Sequence, residues 1–194
     1  MKKITSLLLP LVASGVLYSA ASQAAVVDYQ LDSPHTSIVV SWDHFGFSHP
    51  TAVIPGATGV IKFDPQHPAG SSVNVSIPVS NIDTHVPALT KEFQGSDYFD
   101  TAKYSTATFT STKVISRGEH RYDVEGNLTL KGVTKPVTLH ATLNKIGEQA
   151  MVKKQAVGFN ATGTLQRSAF GIDKYVPAVS DAITLTISTE AYAQ

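Results

Sequence analysis

Along most of this chain apolar and polar residues alternate, and a period of two is the signature of a half-buried β-strand. The clearest runs are Ile38, Val40, Trp42; Val73, Val75, Ile77, Val79; Tyr122, Val124, Leu128, Leu130; and Val137, Leu139, Ala141, Leu143. Val157, Phe159, Ala161, Leu165 and then Ile183, Leu185, Ile187 repeat the pattern. Successive side chains of a strand point to opposite faces, so each run gathers on one side of a sheet. The intervening Thr, Ser, Asn, Asp and Lys suit the wet side. Further strands are predicted at Val26 to Leu31, Val60 to Phe63 and Thr106 to Val114, with turns at Pro55-Gly56, Asp64-Pro65, Arg117-Gly118, Lys131-Gly132 and Ile146-Gly147. Nine or ten strands with short links describe an antiparallel all-β domain.

Two stretches break the rhythm. Between Val86 and Asp100, Leu89 and Phe93 fall at helical spacing, with Pro87 suited to a first turn and Gly95 to a stop. A short helix or pair of turns is expected there, either lying over one end of a barrel as a lid or plugging the core. At the start, Lys2 and Lys3 precede an apolar stretch from Ile4 to Leu17 and small residues from Ser19 to Ala25. That order reads as a cleaved export signal over residues 1–24, with a small-x-small site before Ala25, although Ser19 and Ala21 offer the same pattern. The mature domain is then expected over residues 25–194, and no later run reaches the ~18 apolar residues that a spanning helix needs.

Alternation does not say which face points inward. A membrane barrel would band its apolar face with aromatic girdles, and the aromatics here do not cluster at strand ends in that way. A closed barrel of about eight strands holds packed side chains or one small ligand. Small residues on or beside the apolar faces, Gly59, Gly126, Ala161 and Gly163, favour a hollow, although strand glycines also mark bends. A hollow with so few charges would select an apolar ligand.

Charge narrows the picture by exclusion. Acidic and basic residues are equal in number, 15 each, so there is no basic excess for nucleic acid or for anionic head groups. The chain has no cysteine, which removes thiolate catalysis and cysteine-ligated metals. No nucleophile elbow, phosphate loop, dinucleotide fingerprint or zincin motif is present. His35, His44 and His49 lie near Asp32 and Asp43, but their spacing matches no familiar metal site. His44 continues the Ile38, Val40, Trp42 face and is a candidate polar contact for a ligand head. Acid-base chemistry on a lipid head by Asp43 with His44, or by Asp97 with Asp100, is the enzymatic alternative. A solid barrel acting as a stress-related adaptor is the other.

Several segments together resemble a known family. They are Tyr29-Gln30-Leu31-Asp32 with His35, His44-Phe45-Gly46-Phe47-Ser48, Ile61-Lys62-Phe63-Asp64, and Ile82-Asp83-Thr84. Asp97-Tyr98-Phe99-Asp100, Lys103-Tyr104 and Ala107-Thr108-Phe109-Thr110-Ser111 follow. Gly126 to Leu130, Gly132 to Val137, Arg167 to Ile172 and Val179-Ser180-Asp181 complete the series. In this order and spacing the chain resembles the YceI family of periplasmic polyisoprenoid-binding proteins. The resemblance implies an all-β, antiparallel, eight-stranded lipocalin-like barrel with a short helical lid, and a lumen that holds an isoprenoid such as a quinone or a prenyl phosphate. It departs from the family at Thr90 and Glu92, where many members carry Asp and His, and at Ser105, where they carry Pro. A neutral quinone gains from that departure over a pyrophosphate, which would want basic partners such as Lys91 or Arg167.

The expectation is therefore a periplasmic lipid carrier with no catalytic residue, no metal and no cofactor beyond its bound lipid. Its expected lining is Trp42, Phe45, Phe47, Leu89, Phe93, Phe159, Leu165 and Phe170, with His44 or Arg167 near a polar head. A long-chain isoprenoid is the expected partner, nucleic acid is not, and the chain could pair as a homodimer.

Overall fold

The computed structural model describes residues 26–194, so the export signal expected over residues 1–24 lies outside the described part. Ten strand segments make one antiparallel sheet. They are β1 (Val27–Leu31), β2 (Ser37–Ser41), β3 (Thr51–Val53), β4 (Thr58–Phe63), β5 (Ser72–Ile77), β6 (Ala107–Ser116), β7 (Arg121–Leu130), β8 (Val133–Gln149), β9 (Lys154–Gln166) and β10 (Ala182–Ala193). One helix, α1 (Pro87–Gln94), interrupts them.

Ten segments amount to eight strands because two strands are broken. β1 and β2 both pair with β10, with Leu31 opposite Ala191 and, farther up the wall, Ser37 opposite Ser188. A single 3-10 turn at Ser33–His35 separates them. β3 pairs with β2, and β4 pairs with β1, so the second strand is broken at the same level. The ring closes from β1 through β4, β5, β6, β7, β8, β9 and β10 back to β1. A closed ring leaves no unpaired edge, which is how a small all-β domain avoids edge-to-edge association. Sequence patterning finds every long strand but cuts two short: the turn expected at Ile146-Gly147 falls inside β8, which runs on to Gln149, and β10 continues past Ile187 to Ala193; the three-residue β3 it does not find.

The breaks divide the barrel into two levels. The lower end carries the β6–β7 turn and the β8–β9 hairpin, and there β1 seals the ring against β4 over Val27 to Gln30. At the upper end β3 meets the rest of the wall only through the bridge from Val53 to Asp83. The segment after β5 and helix α1 fill that gap. Pro87 starts α1 where no N–H is needed, and Gly95 ends it.

Inward residues follow the alternation, but their packing differs with level. Below, Phe63 meets Tyr122 and Phe159 edge to face, with ring centroids 5.6 and 5.3 Å apart. This geometry adds attraction to the area those rings bury. Above, Ile183, Leu185 and Ile187 of β10 also point inward yet are only half-buried. They face a void.

Two of the inward glycines do not create that void, contrary to the expectation from sequence. A side chain at Gly126 would collide with the Phe109 ring, and one at Gly163 would lie 2.9 Å from Leu139 Cδ2. Each glycine seats a larger neighbour.

Candidate functional site

The upper void is a cavity of about 480 Å³. A smaller one of about 120 Å³ adjoins it toward the lower end, and Ile38, Ile77, Phe109, Leu139 and Ile187 line both. The larger cavity is walled by the inward faces of β2 and of β5 to β10, among them Leu128 and Leu130 from β7, Val137 and Leu139 from β8 and Leu165 from β9, while β1 and β4 reach only the smaller one. Depth and polarity run in opposite directions. Aliphatic side chains line much of the interior, while His44, Thr84, Glu92, Arg167 and Tyr175 come from loops, turns and α1 at the upper end, with Thr51 at the start of β3.

Helix α1 turns Leu89 and Phe93 onto this cavity. Phe93 is clamped by aromatic neighbours, with its ring 5.3 Å from Trp42 and stacked at 4.8 Å on Tyr98. Polar ties hold the lid in place. The Thr84 backbone N–H donates to Thr90 Oγ1 at 3.0 Å, and Gln94 Nε2 donates to the Ser80 carbonyl at 3.0 Å. From the facing loop, Lys174 Nζ donates to Glu92 at 3.2 Å and pairs with Asp97 at 3.0 Å. Hydrogen bonds to those two carboxylates raise the Lys174 ammonium above its ordinary range. Burial pushes the Tyr98 phenol up, with Glu92 adding to it. Thr90 and Glu92, the positions that depart from the family pattern, are thus both engaged in holding the lid.

Arg167, offered with Lys91 as a basic partner for a head group, is only 6% exposed. Its guanidinium donates to three backbone carbonyls, Ser180 at 2.8 Å, Ile172 at 2.9 Å and Val179 at 2.9 Å. Those bonds tie the loop after β9 into one piece at the mouth. Asp181 secures the same loop by accepting from the Ser168 N–H at 2.8 Å and Oγ at 2.6 Å. Burial would raise the Asp181 carboxyl, but the two Ser168 bonds and the nearby Arg167 charge hold it below its usual range.

The structure brings Trp42, His44, Leu89, Phe93, Leu165 and Arg167 together around the large cavity. Phe159 lines the smaller one beneath. Three expected residues lie elsewhere. Phe45 and Phe47 project from the turn after β2, 51% and 91% exposed, out of step with the Ile38, Val40 and Trp42 face and held by the turn's backbone bonds. Phe170 sits in a 3-10 turn following β9, 2% exposed, and plugs protein rather than facing the void. The aliphatic lining from β7, β8 and β10 was absent from the expected site, although the alternating pattern had already placed it on one face.

Among the polar candidates for other chemistry, Asp43, Asp32 and His35 have structural partners, whereas His44 lines the large cavity. Asp43 Oδ1 accepts the Gly46 N–H at 2.7 Å, and His49 lies 3.8 Å from the same carboxylate. His35 Nδ1 bonds Asp32 at 2.6 Å, and Glu190 stands near them. None of these partnered groups lines either cavity. Among the described residues no helix is long and apolar enough to cross a membrane.

Comparison with known proteins agrees with this architecture. A family profile described as a YceI-like domain matches residues 29–191. Protein YceI of Escherichia coli O157:H7 is 36% identical over 189 residues, covering 96% of this chain and 97% of that protein. The crystal structure of a Campylobacter jejuni YCEI protein superposes with a TM-score of 0.70 at 27% identity, covering 78% of this chain and 90% of that one. A polyisoprenoid binding domain from Saccharophagus degradans, at 13% identity, shares the fold with a TM-score of 0.65 over 87% of this chain and 99% of its own.

Proposed function

The chain belongs to the YceI-like family, and from that premise we propose that it binds a polyisoprenoid lipid in its barrel and carries it without transforming it. The observation that carries this reading is the hollow itself: about 480 Å³ lined by aliphatic side chains at the level where a filled barrel would be packed solid. Folding leaves apolar surface facing empty space, and a hydrocarbon chain removes it from water at about 25 cal/mol per Å². Branched, flexible isoprene units suit an irregular aliphatic wall. The fold-level likeness to a domain described as polyisoprenoid binding supports the same class of ligand.

Polarity orients the cargo. Its tail lies toward Leu139 and Ile187, and its head lies at the mouth near His44 and Arg167. Three carbonyls already engage Arg167. A neutral quinone head, which asks for a single hydrogen bond, therefore suits the mouth better than a pyrophosphate, which asks for several cations. The compartment we propose for this carriage is the periplasm, an expectation that rests on the export signal read in residues 1–24.

Native mass spectrometry of protein purified gently from a membrane-bearing bacterial host tests the proposal. The expected result is a mass increment that extracts into organic solvent and is identified as a prenyl lipid. Repeatedly empty preparations, with no change in mass or melting temperature on adding prenyl lipids, would remove it.

A further inference from the structure

Nine large apolar residues are exposed among the described part of the chain, and they gather at the two ends of the barrel. At the upper end are Phe45, Phe47, Val86 and Tyr175, and the last two also line the cavity. The turn that carries the two phenylalanines is built to hold them outward. The His44 N–H donates to the Ser48 carbonyl at 2.9 Å, the Phe47 N–H to the His44 carbonyl at 3.0 Å, and the Phe45 N–H to the Ala178 carbonyl at 3.0 Å. Asp43 caps the Gly46 N–H, and Phe45 itself takes a φ of +57°, a conformation that is uncommon for a side-chain-bearing residue. Local bonding thus keeps an aromatic pair in water when a looser turn would let it fold onto the barrel.

We propose that this turn is a bilayer-docking tip, inserting Phe45 and Phe47 into the interfacial region of a membrane so that the cavity mouth faces the lipid. The proposal rests on the carrier reading above and names the surface from which the cargo is taken. Continuity is the first argument. His44, next to Phe45, lines the cavity, and its backbone bridges to Val179, another lining residue. A polyisoprenoid does not travel freely through water, so the entrance must meet the membrane. Chemistry is the second. Phe45-Gly46-Phe47-Ser48 carries no charge, and aromatic rings suit the boundary between head groups and acyl chains. Area is the third. Each ring offers about 150–250 Å², and the pair falls short of the roughly 800 Å² per partner used by stable protein interfaces. A bilayer needs no complementary shape.

The lower end supplies the internal control. There Met151, 89% exposed, and Val152 form the tip of the β8–β9 hairpin beside Lys153 and Lys154, remote from the mouth. Because the chain has no cysteine, single labels are specific. Ser48→Cys and Met151→Cys, each carrying a polarity-sensitive fluorophore, are mixed with phosphatidylcholine vesicles. The label at position 48 shifts to the blue and brightens, the label at 151 does not, and Phe45→Ser with Phe47→Ser lowers the vesicle-bound fraction at least about tenfold. A shift at 151 in place of 48 would overturn the proposal, as would an unresponsive label at 48. A blue shift without vesicles that grows with protein concentration would assign the tip to a second copy instead. Loading a prenyl quinone from detergent solution separates the two readings. Normal loading with no vesicle response overturns docking alone, whereas a vesicle response with no loading leaves docking standing and removes the cargo.

Discussion

The two levels of the barrel interior are built on the same alternating strands, yet the lower leaves a cavity of only about 120 Å³ among packed rings and the upper one of about 480 Å³. Below the strand breaks, β1 seals against β4, and Phe63, Tyr122 and Phe159, at 3%, 6% and 8% exposure, pack edge to face around the smaller cavity. Above them, Leu139, Leu165, Leu185 and Ile187 line open space, and a helix and loops complete the wall. Side-chain size explains part of the contrast, since rings reach the barrel axis and aliphatic side chains stop short of it. Wall geometry explains the rest, because the upper ring is bridged rather than zipped between β3 and the segment after β5. The lower level stabilises the protein; the upper level spends stability on capacity.

Truncation on either side of the break should expose that division. Phe159→Ala removes a ring packed against Phe63 and should cost about 3–5 kcal/mol in urea denaturation. Leu185→Ala should cost well below the ~2–5 kcal/mol of a packed leucine, because the lost methyls faced a void. Equal losses would erase the contrast. Arg167→Met comes next: it leaves three mouth carbonyls without their donor and should cost about 2 kcal/mol. It should also weaken a quinone more than a simple prenyl alcohol. Leu185→Trp fills the hollow and should weaken prenyl-lipid binding at least about tenfold, ~1.4 kcal/mol, with little change in the urea midpoint.

The smallest expected effect concerns the break between the levels. The Asp32 hydrogen bond and charge raise the His35 imidazole above its ordinary pKa of about 6.5. Its contribution is therefore complete below about pH 6.5 and is lost as pH rises through the higher folded value. The melting-temperature gap between the wild type and His35→Asn should be widest in mild acid and close toward alkaline pH. A gap that widens with pH would show that another group holds the turn.

Much of this was legible in the chain because period two is a strong signal and each long strand obeys it. The inward face was correctly gathered, and Trp42, Leu89, Phe93, Leu165 and Arg167 do surround one cavity. Phe45 and Phe47 fall out of step with the Ile38, Val40, Trp42 and His44 positions and sit outward in a turn closed by backbone bonds. Phe170 misled because a ring beside a mouth residue can pack into protein as easily as into a lumen. The hollow was expected, but what makes it was not legible. Gly126 and Gly163 suggested space, and Phe109 and Leu139 approach to fill it, so emptiness depends on neighbours across the sheet that no local pattern records.

Trp42, the single tryptophan, lines the hollow with its ring against Phe93, and so reports on occupancy directly. Titrating delipidated protein with a prenyl quinone should quench its emission to saturation at one lipid per chain. Emission that stays constant, or falls in proportion to added quinone without saturating, would contradict a lipid seated in the upper barrel.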